Sequence, residues 1–277
     1  MVRIMNETTK PLLKSQINSI YRSFDTIGDI AVVKIPENLH SKKILIGKAL
    51  LKDLKQIRVV MMQSGPVAGE LRKRDLKYLA GERRTKTLHK EYGCSFIVDP
   101  SQVYFSPRLS TERMRIAMLV EPGERILNMF AGVGPFSILI AKQQPLCSIT
   151  SIDINPNAHR MAKENARINN VSNQIEEILG NAKEEVDNIR GKFTRVLMPL
   201  PESAMEYLDY GIKALKEEGG WLHVYTHLHA STRDEALIIA KNNLDERIRG
   251  RGRSQISRIV KEVGPGWFQV VVDAEIS

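Results

Sequence analysis

Ile126-Leu127-Asn128-Met129-Phe130-Ala131-Gly132-Val133-Gly134-Pro135-Phe136-Ser137 is the stretch on which the reading of the fold turns. Arg125–Met129 reads as a buried strand and Phe136–Lys142 as the start of a helix, with Gly-x-Gly between them. Glycine lacks a Cβ and reaches left-handed dihedrals without steric cost, so such a turn lets main chain approach a ligand closely. The plain alternative is a turn that serves only strand-to-helix packing. A dinucleotide site of the GxGxxG kind is not supported, because Ser137 stands where the third glycine belongs. No P-loop lysine follows, so a triphosphate site is equally unsupported.

Downstream, Ser148–Ile154 predicts a second strand, ending in Asp153 roughly twenty residues after the glycine turn, where a carboxylate can accept from a ribose diol. Otherwise Asp153 caps the helix predicted over Pro156–Asn169. A third loop, Gly180-Asn181-Ala182, can present an amide and a backbone N–H to an adenine edge. Strands at Ile175–Leu179, Phe193–Met198 and Trp221–Thr226 alternate with helices at Ala182–Val186 and Ser203–Leu215, which predicts an α/β, Rossmann-like, doubly wound parallel sheet. Beyond the helix Leu237–Leu244, Ser257–Val263 and Phe268–Val272 flank Gly264-Pro265-Gly266 and predict an antiparallel hairpin on one edge.

Upstream the pattern differs. Ile27–Ile35 predicts a strand stopped by Pro36. Ser41–Leu54 predicts a helix with Ile44, Ala49, Leu50 and Leu54 on one face. Strands follow at Ile57–Met62, Leu76–Leu79, Thr85–Leu88, Ser95–Val98 and Val103–Phe105, with a Ser64-Gly65-Pro66 turn. The expected organisation is an arm or helix over 1–22, a small α+β domain over 23–109, and an α/β domain over 110–277 opening on a helix at Thr111–Leu119.

The chain carries 41 Lys+Arg against 32 Asp+Glu, a formal net charge of +9, over 277 residues. That excess favours a polyanionic partner. The 42% apolar content can fill two cores and argues against disorder as the main state. No apolar run nears the roughly 18 residues of a membrane-spanning helix. The first residues lack a signal core, so a cytoplasmic location is expected. Cys94 and Cys147 form no CxxC or Cys/His cluster, so neither a disulfide framework nor a zinc site is expected. No metal and no obligate protein partner is expected.

These motifs resemble class I S-adenosylmethionine-dependent methyltransferases. Tyr104-Phe105-Ser106-Pro107-Arg108-Leu109-Ser110-Thr111-Glu112-Arg113, followed by the glycine turn, is similar more narrowly to the archaeal and eukaryotic tRNA guanine-N1 methyltransferases, which modify the guanine 3′ of the anticodon, position 37. Ile27-Gly28-Asp29, Ser64-Gly65-Pro66, Leu79-Ala80-Gly81-Glu82 and Thr85-x-Thr87-x-His89-Lys90-Glu91 extend the similarity from about Phe24 to the carboxyl terminus.

The resemblance implies S-adenosylmethionine as cofactor, held by Arg113, Phe130, Gly132, Gly134, Asp153, Ile154, Asn181 and Ala182, and tRNA as partner. It implies Glu112 as the base that takes the guanine N1 proton, and Arg72 or Arg74 as the donor to O6. It also implies Tyr104, Arg108, Pro199 and Pro201 as substrate contacts. Read without it, Glu112 is a first-turn helix residue favoured by the macrodipole, and Tyr104 a core residue. His89 is expected to be structural. Phosphate contacts are expected at Arg72-Lys73-Arg74, Arg83-Arg84-Thr85-Lys86 and the Arg/Gly run Arg247–Arg253, the last read as a flexible clamp.

Asn128 and Asn181 stand where the family commonly has Asp, and Pro199 where it has Asn. The chain begins near the family's second domain and is expected to lack a separate amino-terminal tRNA-binding domain. Two other readings stay open. One is the related aminocarboxypropyl transferase of wybutosine synthesis, against which Glu112 and the Gly-Pro-Phe-Ser turn argue. The other is a tRNA-binding protein with reduced catalysis.

Overall fold

The Ile-Gly-Asp turn opens the first sheet by folding the chain back on itself. In the computed structural model, which describes residues 24–65, 69, 71–72 and 74–277, β1 (Asp25–Ile27) and β2 (Ile30–Val33) pair antiparallel around Gly28-Asp29. Gly28 has φ +56°, and a Cβ there would collide with Thr87 Oγ1 and the Leu88 carbonyl, so only glycine fits. A 3-10 turn after Pro36 leads into α1 (Lys43–Asp53), which buries Ile46, Gly47, Ala49 and Leu50. Ile44, expected on that face, is 45% exposed. Two residues are about 200° around a helix, so Ile44 points away from the side that Ile46 and Leu50 define.

β3 (Val59–Gln63) runs parallel to β2 and antiparallel to β4 (Leu76–Gly81), giving the order β1-β2-β3-β4. Val33, Ile46, Leu50, Val60, Met62 and Leu79 fill the core under α1. β5 (Thr87–Glu91) and β6 (Cys94–Val98) form a separate hairpin. The strand expected at Val103–Phe105 is absent. The Asp99 carbonyl accepts from the Gln102 and Val103 amides, and its carboxylate accepts from Ser101 and Thr85, so side-chain turn bonds replace a ladder there. Residues 1–22, Pro66 and Lys73 lie outside the described residues.

This first unit ends at Arg108, and Leu109–Ser277 forms the second. The second unit begins with α2 (Ser110–Leu119), β7 (Arg125–Asn128), α3 (Pro135–Gln143), β8 (Ser148–Asp153), α4 (Pro156–Ile168), β9 (Ile175–Leu179) and α5 (Ala182–Ile189). β10 (Arg195–Met198), α6 (Leu208–Ala214), β11 (Gly220–His229), α7 (Arg233–Arg247), β12 (Gly252–Gly264) and β13 (Trp267–Ile276) complete it. The sheet order is β12-β13-β11-β10-β7-β8-β9, with β7 to β11 parallel and the terminal hairpin antiparallel.

Apolar strands explain this arrangement. β10 is buried throughout and β13 nearly so, as strands covered on both faces must be, while edge strand β12 alternates and carries register shifts that blunt it. Leu127, Ile152, Val196, Leu222, Val224, Val270 and Val272 belong to one core. The chain proceeds outward through β8 and β9 on one side of β7, then returns to β10 on the other. A crevice at the carboxyl ends of adjacent strands β7 and β10 is the ligand position that this topology creates.

Candidate functional site

At the carboxyl end of β7 the glycine turn takes left-handed dihedrals, φ +57° at Gly132 and +82° at Gly134. Side chains from two neighbouring elements fix it. Asp153 Oδ2 accepts from the Gly132 amide at 2.6 Å while Oδ1 accepts from Asn155 at 2.9 Å. Buried Asn165 on α4 donates to the Val133 carbonyl at 3.0 Å. The capping role considered for Asp153 falls to Asn155, whose side chain accepts from Asn157 and opens α4. Ile154 follows Asp153 directly and is partly buried.

Asn128, fully buried, donates to Ser137 Oγ at 3.1 Å, and Ser137 meets Ser151 at 2.7 Å. An Asp at 128 would lack that donor, so the asparagine fits the serine beside it. Asn128 Oδ1 is buried with no hydrogen-bond partner among the described residues. Asn181 Oδ1 accepts from Lys183 and caps α5, with Ala182 buried behind it. Phe130 meets Tyr207 edge to face at 5.0 Å, and the Lys183 ammonium lies 4.5 Å from the Tyr207 ring centre. Pro199-Leu200-Pro201 follows β10 at the same end of the sheet, and the Leu200 carbonyl accepts from Ser203 and Ala204 to close the loop. Asn165, Tyr207 and Lys183 escaped the sequence reading because nothing local marks them.

Glu112 lies in the first turn of α2 and is 7% exposed. Its Oε2 accepts from Arg115 Nε at 2.8 Å, and its Oε1 from Arg115 NH2 at 2.7 Å and from the Tyr225 hydroxyl at 2.8 Å. Burial and the adjacent carboxylate push the Tyr225 hydroxyl well above its usual range, so it remains a donor. Arg113 is 2% exposed on the same helix. Arg115 was missed, although Glu-x-x-Arg at i,i+3 on a helix is a legible pairing signal.

The first unit keeps its own polar cluster. Arg74 is buried and committed, donating to Asp25 at 3.3 Å and to the Phe105 carbonyl at 2.9 Å, while Arg108 Nε donates to the same Asp25 at 2.8 Å. Arg72, partly exposed and at φ +50°, sets its guanidinium 4.2 Å from the Tyr104 ring centre. Asp29 accepts from Arg84 and Thr87, and His89 Nδ1 accepts from the Gly28 amide. The Ile-Gly-Asp and Thr-x-Thr-x-His motifs therefore meet as structure, beside an open cleft of about 700 Å³ lined by Gly28, Asp29, Arg84, Lys86 and His89.

The Arg247–Arg253 run is not a flexible clamp. Arg247 closes α7 and donates to the Met205 carbonyl, Arg251 pairs with Asp209 and donates to the Arg247 carbonyl, and β12 begins at Gly252. No helix among the described residues is long and apolar enough to cross a membrane.

Comparison with known proteins gives the site its context. The sequence matches the model of the TRM5/TYW2 methyltransferase domain over residues 87–249 and that of the TYW2 N-terminal domain over residues 6–85. It is 36% identical over 265 residues to the tRNA (guanine(37)-N(1))-methyltransferase Trm5b of Pyrococcus abyssi, covering 92% of this chain and 75% of that protein. It is 32% identical to the tRNA 4-demethylwyosine(37)-methyltransferase Taw21 of Saccharolobus solfataricus, covering 92% of this chain and 94% of that one. A solved complex of aTrm5 and tRNALeu superposes with a TM-score of 0.85 at 34% identity, covering 99% of this chain and 78% of that one.

Proposed function

The chain belongs to the TRM5/TYW2 methyltransferase family, and from that premise we propose that it transfers a methyl group from S-adenosylmethionine to N1 of guanine 37 in tRNA. Guanine N1 carries a proton, and its lone pair becomes nucleophilic only when a base removes it. The observation that carries the reading is Glu112, a carboxylate held at the amino end of the methyltransferase unit by Arg115 and Tyr225. A carboxylate oxygen has two lone pairs, and Oε2 accepts from Arg115 Nε, so this edge is assigned the incoming N1 proton.

Charge then builds on guanine O6, where a fixed guanidinium stabilises it. Arg72 is assigned that role, because its partly exposed guanidinium lies 4.2 Å from the centre of the Tyr104 ring that is assigned to the base. Tyr104 offers its ring to the base, and Arg108 a cation to the backbone phosphate. Pro199 has no N–H to offer a base, so Pro199 and Pro201 act by shaping the loop after β10. The cofactor, when bound, supplies an electrophilic methyl on a sulfonium. Gly132 and Gly134 admit it closely, Asp153 and Ile154 take the ribose, Asn181 and Ala182 the adenine edge, and Phe130 and Arg113 complete the cofactor pocket.

Nucleoside mass spectrometry of tRNA incubated with the protein and S-adenosylmethionine tests the assignment. A gain of one methyl on guanosine is expected with guanine 37 and none with adenine there. A gain larger than one methyl would instead identify an aminocarboxypropyl transferase. The match to 94% of the Taw21 length favours a second substrate, 4-demethylwyosine at the same position, to be offered in parallel.

A further inference from the structure

Glu112 sits at one end of a buried ionic chain that the proposed chemistry does not by itself require. The Arg115 guanidinium is divided between two carboxylates. Nε and NH2 serve Glu112, while NH1 donates to Asp273 Oδ2 at 2.6 Å and NH2 also reaches Asp273 Oδ1 at 3.2 Å. Asp273, on β13 and 3% exposed, accepts from His223 Nδ1 on β11 at 2.6 Å. Arg195 meets His223 Nε2 at 2.7 Å and grips Glu124 through Nε and NH2 at 2.7 Å each. Arginine has no acceptor, so Nε2 must accept, and the ring proton lies on Nδ1 facing Asp273.

The orientation of every member is thereby over-determined. Arg115 cannot turn without giving up Asp273, and Asp273 cannot turn without giving up His223. Buried ion networks are weak sources of stability compared with apolar packing. Their fork geometry does, however, hold a side chain within the narrow limits that proton abstraction demands.

We propose that Arg115 and Asp273 are positioning residues for Glu112: Asp273 locks the guanidinium, and the guanidinium holds the carboxylate in the rotamer that meets the base. The inference rests on Glu112 being the base. The test measures single-turnover methylation, KM for tRNA, cofactor affinity and melting temperature for Asp273→Asn and Arg115→Lys, each alone and combined with Glu112→Gln. Asparagine at 273 still accepts from His223 but turns an NH2 toward Arg115, and lysine at 115 keeps the charge while losing the fork.

We expect Asp273→Asn to slow turnover about 10-fold or more, with KM and cofactor affinity within about two-fold of the parent. In the Glu112→Gln background the same change should add less than about two-fold, because the group it positions is gone. If the loss in that background equals the loss in the parent, Asp273 acts independently of Glu112 and the inference falls. It also falls if Asp273→Asn turns over normally while Glu112→Gln does not. If Glu112→Gln itself turns over normally, the base assignment fails and the inference with it. Should Asp273→Asn not fold, Arg115→Lys carries the same comparison.

Discussion

Two carboxylates of the second unit, Asp153 and Glu112, are fixed in opposite ways. Asp153 is held by main chain, with the Gly132 and Asn155 amides both within a turn of it in space. Glu112 is held by side chains from α2 and β11, and through Arg115 by the Asp273 carboxylate, 158 residues beyond that arginine. A group whose partners are backbone amides keeps its place as long as the turn keeps its shape, which suits the binding of a constant cofactor. A group whose partners are side chains can be tuned by each of them, which suits a proton transfer that demands fine alignment.

The largest effect should come from Glu112→Gln, which removes the proposed proton acceptor and keeps the shape. Turnover should fall roughly 10²-fold or more, while calorimetry should find S-adenosylmethionine affinity unchanged. Equal losses in both would erase the contrast with Asp153. The converse change, Asp153→Ala, deletes a charged acceptor worth about 1.5–3 kcal/mol. Cofactor affinity should weaken roughly 10- to 100-fold, with turnover at saturation largely retained. A loss confined to turnover would reverse the roles of the two carboxylates.

Gly134→Ala sharpens the claim that main chain fixes the Asp153 side. The new Cβ would sit at φ +82° and 3.2 Å from Ile138 Cδ1. A left-handed dihedral costs about 1–2 kcal/mol, so differential scanning calorimetry should show melting lowered by roughly 2–8 °C. An unchanged melting temperature would show the turn to be slack.

A smaller effect probes the Glu112 side. Burial, reinforced by Arg195 and Arg115, pushes the His223 imidazole below its ordinary 6.5 despite the Asp273 bond, and His159 is lowered by burial and Lys163. The unfolded chain therefore takes up these protons first as the pH falls. Stability present above pH 6.5 should decline below it, by up to about 1.4 kcal/mol per pH unit for the fully buried His223. Burial by itself would raise the Asp273 carboxyl, but the His223 bond and Arg115 hold it at about 2, below the usual 3.8. Its contribution is present above pH 3.8 and is lost as the pH falls toward 2. Melting curves from pH 8 to 5 should show the His223 slope, and His223→Gln should flatten it.

Much of the local structure around the glycine turn was legible because it is written in short stretches of sequence. The glycine turn, the strand end at Asp153 and the opening of α5 at Asn181 are each written in a few consecutive residues, and the alternation of strands and helices predicted the parallel sheet. The family was legible through the linked motifs around Glu112. What stayed hidden was long-range. Asp273 and His223 sit on neighbouring strands and look, in sequence, like polar interruptions of apolar runs. Val103–Phe105 has strand composition but obeys the Asp99 turn, and the Arg247–Arg253 run looks loose until Asp209 and the Arg247 carbonyl take Arg251.

The amino-acid sequence alone determined the α/β class, the glycine turn and the family, because these follow from periodicity, glycine stereochemistry and consecutive motif residues. Only the tertiary structure decided which arginine of the pair 72 and 74 is committed to Asp25, what Asn128 donates to, and what steadies Glu112. Those outcomes depend on which side chains of distant strands share a face of the sheet, and strand order, unlike strand identity, is settled only when the whole core closes.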